Sequence, residues 1–153
     1  MKPITVARFY LKGCSGGFVV LNIPGTSYEV RIPSKGTVVP SAQGRVWGTL
    51  RLPVWKLDVV TAGGAYIEPV YGKPRRVQGK VVGTLPELNG VVVEVCGQPI
   101  VGLLPERWQA VEVEVGSRVG LDIAEGGEFV PEPARANREP EVGAVPSVNI
   151  GVG

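Results

Sequence analysis

The chain has 153 residues, 16 Lys+Arg against 14 Asp+Glu, 44% hydrophobic residues and no histidine. That length supports one ordinary domain or two small ones, and the composition predicts a packed core rather than disorder. The missing histidines remove the commonest general base and metal ligand, and Cys14 and Cys96 alone cannot complete a Cys/His zinc site.

The formal net charge of +2 hides a gradient along the chain. Residues 1–85 hold 12 Lys+Arg and 3 Asp+Glu, whereas residues 86–153 hold 4 and 11. A basic portion (1–85) and an acidic portion (86–130, continuing into the tail) suit binding to an acidic partner or contact between copies. Lys2, Arg8 and Lys12 punctuate the start with no apolar run behind them, so no signal peptide is expected. The charge-free stretch 13–28 is broken by glycines and a proline, so no membrane span is expected either. With 4 Asn, 4 Gln, 2 Cys and 1 Met but 14 Pro, the composition leans in the heat-adapted direction. A GC-rich genome gives the same bias.

Valine fills 28 positions, and the longest run free of glycine and proline is 106–115. Helices average more residues than that, and both residues oppose helix interiors. The pattern predicts an all-β chain, with one helical turn at 105–108. In order, the expected strands are 4–12, 18–23, 28–32, 45–52, 55–61, 65–70, 76–84, 91–95, 100–104, 110–115 and 118–123. Pro24-Gly25, Gly63-Gly64, Asn89-Gly90 and Gly116-Ser117 read as turns, Asn-Gly being the strongest hairpin signal. Many short strands at about ten-residue spacing predict a barrel or sandwich. Gly44 to Leu50 and Gly79 to Leu85 both read Gly-(Arg/Lys)-Val-x-Gly-Thr-Leu, an echo that marks equivalent strands of two small β units or a coincidence of β-forming residues. From Pro131 the chain turns Pro-rich and then apolar, predicting a β core over 1–130 and an extended arm over 131–153.

Catalytic constellations are thin. Gly13-Cys14-Ser15-Gly16-Gly17 matches G-x-S-x-G, but no histidine partners it and a strand follows instead of a helix. A glycine-rich turn explains it. Glu112 and Glu114 share a strand face by period 2 and read as a solvated edge rather than an acid–base pair. The chain reads as a non-enzyme with no cofactor and no metal.

The cations are more informative. Arg45, Arg51, Lys56, Lys73, Arg75, Arg76 and Lys80 are interleaved with Trp47, Trp55, Tyr66 and Tyr71. Positive grooves with aromatic platforms bind single-stranded nucleic acid. Against that, Trp55 shares a strand face with Leu57 and Val59, which places it in the core, and the pI of about 8.6 is low for such a domain.

Two segments share a form: Gly63-Gly64-Ala65-Tyr66-Ile67-Glu68-Pro69 and Gly126-Gly127-Glu128-Phe129-Val130-Pro131-Glu132-Pro133, the second preceded by Val101-Gly102-Leu103-Leu104-Pro105-Glu106. These stretches resemble those of tailed-phage head decoration proteins. The resemblance implies a small β-rich protein that trimerises over capsid joints in a virion, without catalytic residues. Residues 91–95, 100–104 and 115–121 instead resemble the hairpin-then-closing-strand rhythm of oligonucleotide/oligosaccharide-binding barrels, implying a nucleic-acid or small-anion binder, with a cytoplasmic location as the alternative to the virion.

The sequence therefore predicts an all-β barrel, with a second small β unit and a C-terminal arm. Its expected partners are copies of itself, with a trimer expected, and a larger shell; single-stranded nucleic acid is the alternative. The candidate interaction residues are Arg45, Arg51, Lys73, Arg75, Arg76, Lys80, Glu112, Glu114, Val148 and Ile150. In the apolar end Val148-Asn149-Ile150-Gly151-Val152, the pattern suits strand addition to a neighbour.

Overall fold

The computed structural model describes residues 4–132. Its strands are β1 (Ala7–Ser15), β2 (Phe18–Asn22), β3 (Glu29–Pro33), β4 (Arg45–Val59), β5 (Tyr66–Glu68), β6 (Tyr71–Gly72) and β7 (Arg76–Leu85). They continue with β8 (Gly90–Val95), β9 (Gln98–Leu103), β10 (Arg118–Ile123) and β11 (Glu128–Pro131). Two single-turn 3-10 helices, Pro86–Leu88 and Ala110–Glu112, are the helical elements among the described residues. The all-β expectation holds, in one mixed sheet whose β3–β6 and β4–β9 pairs are parallel.

β4 organises the molecule. Val46, Gly48, Leu50, Leu52 and Val54 are buried, with half-buried residues between them, the period-2 signature of a strand with one face on a core. On one side it pairs β1 over 45–48 and then β9 over 51–53. It also pairs β11 over 48–51 and β10 over 54–59. From its first half hangs the antiparallel meander β1–β2–β3. From its second half runs a circuit of paired strands, β4–β9–β8–β7–β10, that returns to β4.

The sequence splits β4 at Pro53, because proline has no ladder donor. The structure runs the strand straight through. Pro53 falls where the partner changes from β11 to β10, and its carbonyl accepts from the Ala124 N–H at 2.8 Å. The missing N–H costs nothing at a gap in the ladder.

The segment 110–115 is not a strand. Ala110 is buried and Val113 half-buried, while Val111, Glu112, Glu114 and Val115 are exposed, so the buried spacing is i, i+3. A 3-10 turn fits that spacing, and the Val-Glu alternation is a surface pattern. Glu112 and Glu114 thus do not share a strand face. The helical turn expected at 105–108 is a hydrogen-bonded turn instead of a helix, closed by Trp108 N–H on the Pro105 carbonyl at 3.0 Å.

Turn chemistry follows the glycines. Gly16 (φ 61°) and Gly17 (φ 83°) form the two-residue β1–β2 turn, so the G-x-S-x-G match is a hairpin. Cys96 (φ 51°) and Gly97 (φ 87°) do the same between β8 and β9. Both cysteines are free and exposed. The 44–50/79–85 echo does fall on β4 and β7, but Gly44 precedes its strand at positive φ while Gly79 is buried inside β7.

A single hydrophobic cluster holds both ends of β4 together, from Phe9, Leu21 and Ile32 through Leu50 and Phe129 to Val77, Val93, Ile100 and Leu121. The Phe9 and Phe129 rings meet edge to face, centroids 5.9 Å apart. Gly48 makes room for this pair: a Cβ there would lie 2.5 Å from both Phe129 Cζ and the Val130 carbonyl oxygen. Gly48→Ala is therefore expected to lower stability by about 3 kcal/mol, read as a shifted midpoint in urea unfolding. An unchanged midpoint would mean that β11 sits less tightly on β4 than described.

Candidate interaction site

The basic and acidic portions of the sequence do not stay apart in space. β4 and β7, from the basic portion, alternate in the circuit with β8, β9 and β10 from the acidic one. Ion pairs among the described residues join the portions internally, including Arg51–Glu128 at 3.5 Å, Arg76–Asp122 at 2.7 Å, and Lys73–Glu125. The gradient along the chain is thus folded back on itself.

The predicted cations fall in different settings. Arg76 is half-buried beside β10. Its guanidinium donates to the Tyr66 hydroxyl (3.0 Å) and to Asp122 Oδ1. These partners, Tyr66 first, push it further into its charged range. Tyr66 donates in turn to Gln78 Oε1, and Gln78 Nε2 donates to the Gly64 carbonyl. Gly120 leaves space for the Arg76 guanidinium, which a Cβ there would strike. Arg76 is therefore a structural cation. Arg51 pairs with Glu128 across the β4–β11 register. Lys80 is exposed, with Glu94 and Arg118 as cross-strand neighbours. Arg45 lies over the Tyr10 ring at 5.5 Å, and the next residue pair on that face is Arg8 opposite Trp47. Val148 and Ile150 lie outside the described residues.

Lys73 and Arg75 meet in a groove. A cleft of about 350 Å³ is lined by Phe18, Arg31, Ile32, Leu52 and Ile123, among others. It shares Lys73, Pro74, Ile123, Ala124 and Glu125 with a wider, shallower depression of about 740 Å³ that reaches Trp55, Arg75 and Asp122. One wall is β3, the floor includes Leu52 of β4, and the other wall is the 124–127 linker between β10 and β11. The Lys73-Pro74 segment contributes to both parts.

Local chemistry explains this shape. Gly126 has φ 104°, a left-handed turn that glycine adopts freely. A Cβ on Gly127 would come within 2.8 Å of Leu52 Cδ2 and 3.0 Å of Ile32 Cδ1, so only glycine lets the linker lie this close. The Gly-Gly-x-aromatic pattern singled out in the sequence is accounted for here by backbone geometry.

Trp55 corrects a sequence reading. It is 52% exposed, because β4 runs unbroken through Pro53 and the alternation that buries Leu50, Leu52 and Val54 puts Trp55 on the opposite face. Trp55 faces the groove instead of the core. Nothing in the sequence pattern brings in Phe18, Arg31, Ile123 or the 124–127 linker, since β2 and β3 lie far from β10 in the chain. Arg31 lies over the Phe18 ring at 4.2 Å. Neither Arg31 nor Arg75 makes an ion pair among the described residues.

Lys73 holds the Glu125 carboxyl below the usual carboxylate range, first by their hydrogen bond and then by charge attraction. In a carbon-detected NMR titration Glu125 is expected to protonate at lower pH than an ordinary surface glutamate. Lys73→Ala should return it upward; no movement would mean that the pair does not form in solution.

Among the described residues no group of three His, Cys, Asp or Glu side chains is placed to hold a metal ion. No helix among them is long and apolar enough to cross a membrane. No protein-family model, no curated protein sequence and no solved structure matches the chain.

Proposed function

We propose that this chain is a non-enzymatic assembly protein that works through protein–protein contacts. In its most concrete form it is a trimeric capsid decoration protein that cements a viral shell in the virion. The observation that carries the reading is the groove: an apolar cleft that opens onto exposed Trp55 and carries two cations, Arg31 and Arg75, outside the ion pairs among the described residues. Apolar surface rimmed by polar groups marks a docking site. Exposed Tyr71, Val111 and Val115 add further apolar surface for contacts between copies or with a shell. In this reading the five-strand circuit is a small closed barrel, the β1–β3 meander is the second β unit, and the chain from Pro131 onward is the arm. The pairing of β11 runs two residues past 130, because Pro131 still pairs with Gly48 and the Glu132 N–H still donates to the Trp47 carbonyl.

A second reading is supported by the β1–β4 face. There Arg8, Tyr10, Arg45 and Trp47 form two adjacent cation–aromatic cross-strand pairs, the combination that stacks and neutralises single-stranded nucleic acid. β10, the expected closing strand, does pair on both sides.

The test is the solution mass by light scattering on a sizing column, with absorbance at 260 and 280 nm. A nucleic-acid-free oligomer supports the assembly protein. A monomer that carries 260-nm material until high salt strips it supports the second reading. A clean monomer removes self-association from the mechanism and leaves a preformed shell as the only partner.

A further inference from the structure

We propose that the groove between β3 and the 124–127 linker is the docking site for residues 139–150 of this same protein, supplied by a neighbouring copy. The neighbour rests on the assembly reading above; the match between groove and segment does not. The groove offers an apolar floor of Ile32, Leu52 and Ile123, with Phe18 at one end and Trp55 at the other. Its two cations without internal ion pairs are Arg31 and Arg75.

The segment carries the complementary pattern. Glu139-Pro140-Glu141 presents two carboxylates, and Val142-Gly143-Ala144-Val145-Pro146-Ser147-Val148-Asn149-Ile150 follows without a charge. Pro140 and Pro146 favour extended backbone in the residues before them, the form that a long shallow groove accepts at low entropic cost. Reach is sufficient. The seven residues 133–139 span up to about 25 Å when extended. The four residues of β11 separate the groove from Glu132 by about 14 Å. The candidate residues Val148 and Ile150 thereby acquire a specific receiving surface, and Arg75 acquires a carboxylate partner.

The experiment uses the full chain with p-benzoylphenylalanine in place of Trp55, and separately in place of Phe18. It mixes isotopically heavy and light copies, irradiates and maps the trypsin fragments. Cleavage after Arg138 releases Glu139–Gly153 as one fragment. The expected result is cross-linking of that fragment to the probe between heavy and light copies, with a probe at exposed Val111 failing to capture it. Arg31→Glu with Arg75→Glu should lower the yield about fivefold. Adding Glu139→Lys with Glu141→Lys should restore it, read on the shorter fragment Val142–Gly153 that trypsin then releases. Capture of the fragment only within single copies would uphold the docking site and overturn the assembly reading. Groove probes that cross-link elsewhere but never to Glu139–Gly153 would overturn the inference itself.

Discussion

Phe129→Ala is expected to destabilise the protein by about 3–5 kcal/mol, the cost of a cavity left by a fully buried phenylalanine. The effect belongs at the upper end for three reasons. The ring is fully buried, it makes an edge-to-face contact with Phe9, and it closes the space above Gly48. Phe129 also ties β11 to the β3 side: its carbonyl accepts from the Lys35 N–H, and Ser34 bridges to it. Urea unfolding followed by tryptophan fluorescence reads the change. The milder Phe129→Leu should cost less than half as much; equal costs would mean that edge-to-face geometry, not volume, dominates. A loss under about 1 kcal/mol for the alanine variant would show that the ring is not part of the core in solution.

Asn89→Ala is the second large effect, about 3–5 kcal/mol, although Asn89 is not a core residue by composition. Its side-chain Nδ2 donates to the carbonyls of Leu104 (3.2 Å), Pro105 (3.4 Å) and Trp108 (2.9 Å). Its Oδ1 accepts from the Ala110 N–H at 2.8 Å. One side chain thus reaches backbone groups of Leu104, Pro105, Trp108 and Ala110, its two N–H hydrogens shared among three carbonyls, at about 1 kcal/mol net per full bond. Asn89 also sits at φ 52°, ψ 45°, where alanine costs about 1–2 kcal/mol more. Three variants separate these terms. Asn89→Gly relieves the backbone strain and loses every bond. Asn89→Asp keeps the acceptor and loses the donors. The order of stability should be Asn, Asp or Gly, then Ala. An alanine variant as stable as the parent would remove Asn89 from this role.

The sequence announced the Asn89-Gly90 turn but not what Asn89 does there. Turn propensity is local, whereas the carbonyls it satisfies lie 15 to 19 residues away. The same divide runs through the rest of the fold. Strands with a buried alternate face, such as β2, β3 and the first ten residues of β4, were legible from period 2, because burial on one face imposes it. β11 was missed because its four residues end in proline and carry a glutamate, and only pairing with β4 makes them a strand. β6 has two residues and no pattern to read. For the candidate site, Lys73 and Arg75 were visible as charges in a basic run. Their neighbours Phe18, Arg31 and Ile123 were not, since the groove is made by β3 and the linker after β10 meeting over Leu52. Trp55 failed because the strand was split at Pro53 and residues 55, 57 and 59 were given a core face of their own; the unbroken β4 puts Trp55 on the face opposite Val54.

β4 is shared between the β1–β3 meander and the β7–β10 circuit, so the two are joined by covalent backbone as well as by side-chain contact. A tensile load applied between the two ends of the molecule runs along that one strand. Separating the ends cannot proceed by peeling two sheets apart. It must first shear β4 out of its ladders with β1 and β11 on one half or β9 and β10 on the other, breaking several hydrogen bonds at once. Pulled along β4, the molecule therefore resists until a whole ladder gives way at once.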